Sequence, residues 1–322
     1  MSIPRIHYFN PGHETAVLSG KVNYTPTRQV QTMFRDLACL PLWYADSNDL
    51  VWVEEYAMAE AYLSVLRRVF PQLPSVISTE QFLHEPFLGN YEAAPWGLSP
   101  QSLHYYKRLQ KSEKGNVRIP VWNDVYKQLT GRQTARKVLD RLKELLPEMV
   151  LPVTPVFCRT VDGIKTYMQT HQPPFVLKTP FSSSGRGLLW LCSSELLQKD
   201  LLWIDGAIRK QEEISIEPAL DRQQDWAMEF VSDGKGRVSY RGLSVFGTAE
   251  RGAYSGNILG SESFRESFIL RHISSTDFVR IKKALEIALS EIYGYLYTGC
   301  IGVDMLLYRQ GGFFFLDIYS CV

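Results

Sequence analysis

The sequence lacks any apolar run near the ~20 residues that crossing a bilayer demands, and no charged-then-apolar leader opens it. Those two absences lead us to expect a soluble, cytoplasmic chain. Cysteine is scarce: Cys39, Cys158, Cys192, Cys300 and Cys321 are scattered, odd in number and without a CxxC pair. That argues against a disulfide framework or a zinc site and fits reduced thiols. An excess of one charge is also missing. With 35 Lys and Arg against 34 Asp and Glu, the net charge is +1, so bulk electrostatics give no reason to expect nucleic acid or an anionic membrane as partner. The best-known nucleotide signatures are absent too. No GxxxxGK[ST] occurs, the first strand is followed by NPGHE and not by GxGxxG, and there are no HRD and DFG elements. Any recognition of phosphate must come from individually placed charges.

What is present alternates. Ile3–Phe9, Leu50–Val53 and Val117–Val121 read as strands, and Arg28–Leu40, Glu54–Phe70 and Gln101–Gln110 as helices. Such alternation argues for a parallel sheet flanked by helices over residues 1–125. The Pro-, Gly- and Asn-rich Leu83–Ser99 reads as a long loop. Arg132–Leu146 is an amphipathic helix, after which the rhythm turns to strands: Thr154–Cys158, Phe175–Lys178, Gly187–Cys192, Ile214–Glu217, Asp225–Ser232, Arg237–Val245, Val303–Tyr308 and Phe313–Ile318. The expected organisation is an N-terminal parallel α/β domain (1–125) and two α+β subdomains, 126–213 and 214–322. The apolar and aromatic residues of the N-terminal part suit a homo-oligomer.

The sharpest local feature is FVLKTPFSSSGRGLLWL, residues 175–191. A strand ends in Lys178, and Ser182, Ser183, Ser184, Gly185, Arg186 and Gly187 lead into a second strand. Small residues let backbone N–H groups approach phosphate oxygens, hydroxyls add donors, and Lys178 and Arg186 supply charge. The plain alternative is a hairpin with two surface cations. Around it, Arg132 opens a helix, Glu217 ends an apolar strand, and Asp304 lies in the apolar run GCIGVDMLLY. A carboxylate in such a strand needs a partner, because burying an unpaired charge is expensive.

In this order, the motifs resemble the ATP-grasp superfamily of carboxylate–amine (or thiol) ligases. The resemblance covers about 190 residues and is loose over the first 120. It implies that Arg132, Lys178 and the 182–187 loop contact the phosphates of ATP. It also implies that Glu217, Pro218, Ala219 and Leu220 line the adenine site, that Asp225 meets the ribose and that Asp304 binds Mg²⁺. The implied activity is activation of a carboxylate as an acyl phosphate, followed by capture by an amine. Arg241 and Arg251 are the candidates for contact with the acyl phosphate or the substrate carboxylate. Arg251 and Asn257 lie in the expected Gly-rich loop ERGAYSGN. Asn10 and His13, after the first strand, are candidates for binding a small carboxylate-containing or peptide-like substrate.

One departure stands out. The family closes its metal site with Glu-x-Asn, whereas this chain reads FFFLDIYSCV. Asp317, thirteen residues after Asp304, fits the missing carboxylate, but Tyr319 replaces the amide that Mg²⁺ would prefer. The alternative reading is therefore a degenerate or truncated member that binds nucleotide without catalysis.

Overall fold

The computed structural model describes residues 3–84, 89–111, 115–149, 151–182, 187–248, 254–310 and 313–321; for 84, 89, 111, 115, 116, 310 and 313–321 only the backbone is considered. The chain divides into two compact units, Met1–Asp124 and Val125–Val322.

The first unit is built on five short parallel strands: β1 (Arg5–Tyr8), β2 (Leu50–Trp52), β3 (Ser75–Ile77), β4 (Gly89–Pro95) and β5 (Gly115–Arg118). Their order is β3-β2-β1-β4-β5, so the winding direction reverses between β1 and β4. The helices are α1 (His13–Ser19), α2 (Arg28–Asp36), α3 (Tyr56–Leu66), α4 (Thr79–His84) and α5 (Pro100–Tyr106). Ile6, Tyr8, Trp52, Phe82 and Tyr106 form an aromatic-rich core.

Two expectations fail here. The segment Leu83–Ser99 is no continuous loop, because Gly89–Pro95 is a strand between β1 and β5, in register Ile6↔Ala93 and Tyr8↔Pro95. Neighbours on both sides supply the pairing that its Gly- and Asn-containing sequence does not advertise. The loop expected over NPGHE also ends early. Gly12 takes a left-handed conformation (φ 74°), which lets the chain turn directly into α1 at His13.

The second unit opens with α6 (Asp124–Thr130) and α7 (Arg132–Leu145) and contains two antiparallel sheets. The smaller consists of β6 (Val156–Cys158), β7 (Phe175–Lys178), β8 (Leu188–Leu191) and β9 (Ile214–Pro218), in the order β6-β9-β7-β8. Phe175, Leu177, Leu191, Ile214 and Ile216 point to one face, where α8 (Val161–Thr170) and α9 (Gln198–Gln211) cover them. Strand alternation then sends Lys178, Ser215 and Glu217 to the other face.

The larger sheet consists of β10 (Asp221–Asp233), β11 (Val238–Thr248), β12 (Tyr254–Asn257), β13 (Thr298–Gln310) and β14 (Phe313–Cys321), in the order β12-β11-β10-β13-β14. Trp226, Met228, Phe230, Val303, Met305 and Leu307 form its core face against α7 and α11 (Ser275–Tyr293), with α10 (Glu262–Ile269) at the side. Two boundaries move. The strand expected to open at Asp225 begins at Asp221, with an irregularity between Arg222 and Gln224. Asn257, expected in a loop, lies on β12 opposite Phe246. No helix among the described residues is long and apolar enough to cross a membrane.

Candidate functional site

The candidate residues lie on α7, on the face of the smaller sheet turned away from α8 and α9, and on the face of the larger sheet turned away from its core. On the smaller sheet, Lys178 stands in register with Ser215, and Val176 with Glu217. Lys178 Nζ pairs with Glu217 Oε1, and each residue is only 6% exposed. Such burial strips water from both ions, so each depends on the other. The Ser215 hydroxyl donates to the Lys178 carbonyl at 3.3 Å and ties β9 to the end of β7.

Helix α7 links this face to the larger sheet. Val138 and Leu142 enter the core of the larger sheet. Arg132, Arg136 and Leu139 line a cleft whose far wall is Phe157, Lys178, Ser215 and Glu217. Arg132 Nε donates to the Thr179 carbonyl at 3.0 Å and its Nη2 to Ser182 Oγ at 3.4 Å. Its guanidinium therefore sits where the loop leaves β7. Arg136 is a cation that sequence reasoning missed; its spacing of four from Arg132 on one helix was the available signal.

The described ends of the loop are held firmly. The Thr179 N–H donates to the Gly187 carbonyl at 2.9 Å. The Phe181 N–H donates to Gln211 Oε1 at 2.8 Å, and Gln211 Nε2 returns a bond to the Phe181 carbonyl at 3.2 Å. Ser183, Ser184, Gly185 and Arg186 lie outside the described residues. At the end of β9, Pro218 is the last strand residue, and the Ala219 N–H is committed to the Pro174 carbonyl at 2.8 Å. Leu220 follows as the link into β10.

On the open face of the larger sheet, Asp225, Ala227 and Glu229 alternate with the core residues of β10. Ala227 is directly opposite Asp304, and Glu229 is opposite Gly302. Asp225 accepts from the Thr248 hydroxyl at 2.5 Å and lies 3.6 Å from Arg222 Nε. Asn257 Nδ2 donates to Ser244 Oγ at 3.1 Å, and Ser244 in turn stands opposite Ala227. Asp225, Asp304 and Asn257 thus share one face.

Glu229 was missed in the sequence, although its spacing from Asp225 puts it on the same face. It has glycine on both sides, Gly242 on β11 and Gly302 on β13. The residue keeps access to solvent, yet the surrounding protein strips water from its carboxylate and Asp304 adds like charge. Together they push its pKa up to about 7.

The remaining candidates scatter. Arg241 is exposed and is the extra residue of a bulge, because Glu229 pairs with Gly242 and Phe230 with Tyr240. Arg251 lies outside the described residues. The β13–β14 register sets Tyr319 opposite Asp304; Asp317 falls opposite Leu306, a diagonal neighbour of Asp304 on the same face of the sheet. In the first unit, the buried Asn10 amide is spent on Gly97. Its Nδ2 donates to the Gly97 carbonyl at 2.7 Å, and its Oδ1 accepts the Gly97 N–H at 3.0 Å. A side chain at Gly97 would collide with the His13 ring, so His13 is packed against that backbone.

No family model matches the sequence, and no curated protein does. Solved structures do. The chain superposes on N5-carboxyaminoimidazole synthetase from Staphylococcus aureus, solved with ADP, with TM-score 0.50 and 13% identity over 99% of this chain and 71% of that one. It superposes on the biotin carboxylase–β-γ-ATP complex from Campylobacter jejuni with TM-score 0.51 and 14% identity, over 100% of this chain and 66% of the other. D-alanyl-alanine synthetase A from Vibrio cholerae gives TM-score 0.50 and 10% identity over 99% of this chain and 89% of that one. The chain has an ATP-grasp fold. At these identities the fold is what is shared. Within that ATP-grasp fold, the Lys178–Glu217 cleft and the Asp304 face belong to the same compact unit.

Proposed function

We propose that this ATP-grasp chain binds ATP with magnesium and joins a carboxylate to an amine or thiol through an acyl phosphate. The observation that carries the proposal is the charge of one cleft. Arg132, Arg136 and Lys178 surround it, and Glu217 is the single carboxylate among its lining residues. Three cations against one anion, in a cleft that Leu139 and Phe157 also line, are suited to a polyphosphate. Two of the superposed enzymes were solved with ADP and with β-γ-ATP, in agreement with that chemistry.

The residues of the larger sheet fit the metal. Mg²⁺ takes hard oxygen ligands and is commonly held by one or two carboxylates together with phosphate oxygens. Asp304 and Glu229 offer carboxylates on one face; loss of water first, and repulsion from Asp304 second, raise the pKa of Glu229. A divalent cation relieves that repulsion. When bound, magnesium would neutralise charge developing on the transferred phosphoryl group.

The protein's own part is positioning. Lys178 and Arg132 fix the phosphates at the root of the 179–187 loop. Glu217 and Pro218 at the end of β9, with Ala219 and Leu220 in the link that follows, would line the base, and Asp225 would meet the ribose. A substrate carboxylate oxygen then attacks the γ-phosphorus and ADP departs. An amine or thiol next attacks the acyl carbon, losing its proton as phosphate leaves. Arg241 and Arg251 remain the candidates for the acyl phosphate.

Hydroxylamine tests the reading, since it traps acyl phosphates as hydroxamates. Incubation with MgATP, hydroxylamine and a panel of small acids and peptides should yield a hydroxamate and ADP in equal amounts for at least one acid. The Lys178→Met variant should yield neither. ADP release that no acid stimulates, without hydroxamate, contradicts a ligase.

A further inference from the structure

The first unit leaves one helix apolar on two sides. Ala59, Leu63 and Leu66 of α3 pack with Val51 and Val76 in the core. Met58, Tyr62 and Val65, with Val69 in the turn that continues the helix, are 65%, 46%, 58% and 71% exposed. Steps of four, three and four residues align these four side chains in one stripe. Trp43 and Phe70, edge to face at 5.4 Å and about half exposed, widen it. A helix with apolar residues on both faces belongs in an interior, and a contiguous exposed apolar patch of this kind marks an interaction surface.

Charge selects the occupant. α3 is acidic at its start, with Glu54 and Glu55 exposed, and basic just past its end at Arg68, next to Arg67, which is held by Glu60 and Ser75. We infer that α3 is the two-fold interface of a homodimer, packed antiparallel against α3 of a second copy. A two-fold axis between Tyr62 and Val65 sets Met58 opposite Val69 of the second copy and Tyr62 opposite its Val65. The same operation brings the acidic end of each helix to the basic end of the other, whereas parallel packing would set like charges together. An isologous contact requires such self-complementarity. The apolar stripe and the polar ends of α3 both satisfy it.

Light scattering and sedimentation of the full chain over a concentration series test the inference. The wild type should be a dimer in the micromolar range. Val65→Glu and Met58→Glu should each weaken self-association by roughly tenfold or more, with the circular dichroism spectrum unchanged, since both side chains are exposed. Glu55→Arg should weaken the dimer, and adding Arg68→Glu should restore it. If Val65→Glu perturbs the fold, the milder Val65→Ser must weaken association in the same direction. A chain that stays monomeric up to about 100 µM overturns the inference. So does a dimer indifferent to the stripe substitutions, which would use another face, or one in which the charge swap restores nothing.

Discussion

Lys178 and Glu217 meet on a diagonal: Lys178 is in register with Ser215 and Glu217 with Val176, yet their side chains form a buried ion pair across β7 and β9. Diagonal neighbours lie roughly 7–8 Å apart at the backbone, a span that only long side chains bridge. The pairing gives the buried ammonium a counter-ion at the wall of the cleft.

Removing Lys178 therefore has two effects. Lys178→Met should weaken binding of an ATP analogue by about 1.5–3 kcal/mol, the worth of a hydrogen bond to a charged group. It should also destabilise the fold, because breaking a buried pair costs about 3–5 kcal/mol. Glu217→Met on top should recover much of the stability and none of the affinity. Titration calorimetry and urea melts on the single and double variants check both statements. A double variant that binds nucleotide normally would remove Lys178 from the site.

Glu229 predicts a pH dependence. Its carboxyl titrates at about 7 in the folded chain against an ordinary value of 4.5. Between those values the folded state holds a proton that the unfolded state has lost. This group therefore makes stability fall as pH rises through that window, and the penalty is complete above about 7. Glu229→Gln abolishes the titration. The stability of the variant relative to wild type should rise across the window and stay level outside it, as read by urea melts at about pH 4 and about pH 8. Parallel pH profiles would mean that neither loss of water nor Asp304 raises the Glu229 carboxyl.

Gly187 is required by space. A β-carbon there would lie 2.2 Å from Thr179 Oγ1 and 2.5 Å from Ser182. Gly187→Ala should force the two ends of the 179–187 loop apart, at a cost of about 1–3 kcal/mol. Nucleotide affinity should fall with stability, because Arg132 contacts both Thr179 and Ser182. Denaturation and nucleotide titration of the variant decide this. Wild-type values in both would show that the loop is not packed as described.

Asn10 should prove structural. Both ends of its buried amide bind the Gly97 backbone; the Gly97 carbonyl also accepts from the Ser102 hydroxyl at 3.1 Å, so Asn10→Ala strands the Gly97 N–H, at a cost of about 1–3 kcal/mol. A drop of that size in a urea melt is expected. A neutral substitution would return Asn10 to the list of substrate contacts.

Much of this arrangement is legible in the sequence where local pattern and tertiary demand agree. The strand FVLK and the helix at Arg132 carry strong periodicity, and the order of Arg132, Lys178, Glu217, Asp225 and Asp304 already resembles the ATP-grasp family. β4 was hidden because its Gly- and Asn-containing sequence has little strand preference, and its neighbours on both sides impose the conformation. Asn257 was hidden because β12 follows a Gly-rich run and exists through its pairing with β11. Glu229 and Arg136 are different. Their spacing was visible, but their relevance depends on what stands beside them: Asp304 and two glycines for the first, the Lys178 wall for the second. A one-dimensional reading does not show cross-strand neighbours.

The central claim is that ATP lies in the cleft of Arg132, Lys178 and Glu217, with magnesium at Asp304. Calorimetric titration of a non-hydrolysable ATP analogue, with and without Mg²⁺, on the wild type, Lys178→Met and Asp304→Asn tests it most directly. The account predicts binding that magnesium tightens in the wild type, weak binding in Lys178→Met, and loss of the magnesium effect alone in Asp304→Asn. No binding by the wild type, or three indistinguishable titrations, would contradict it.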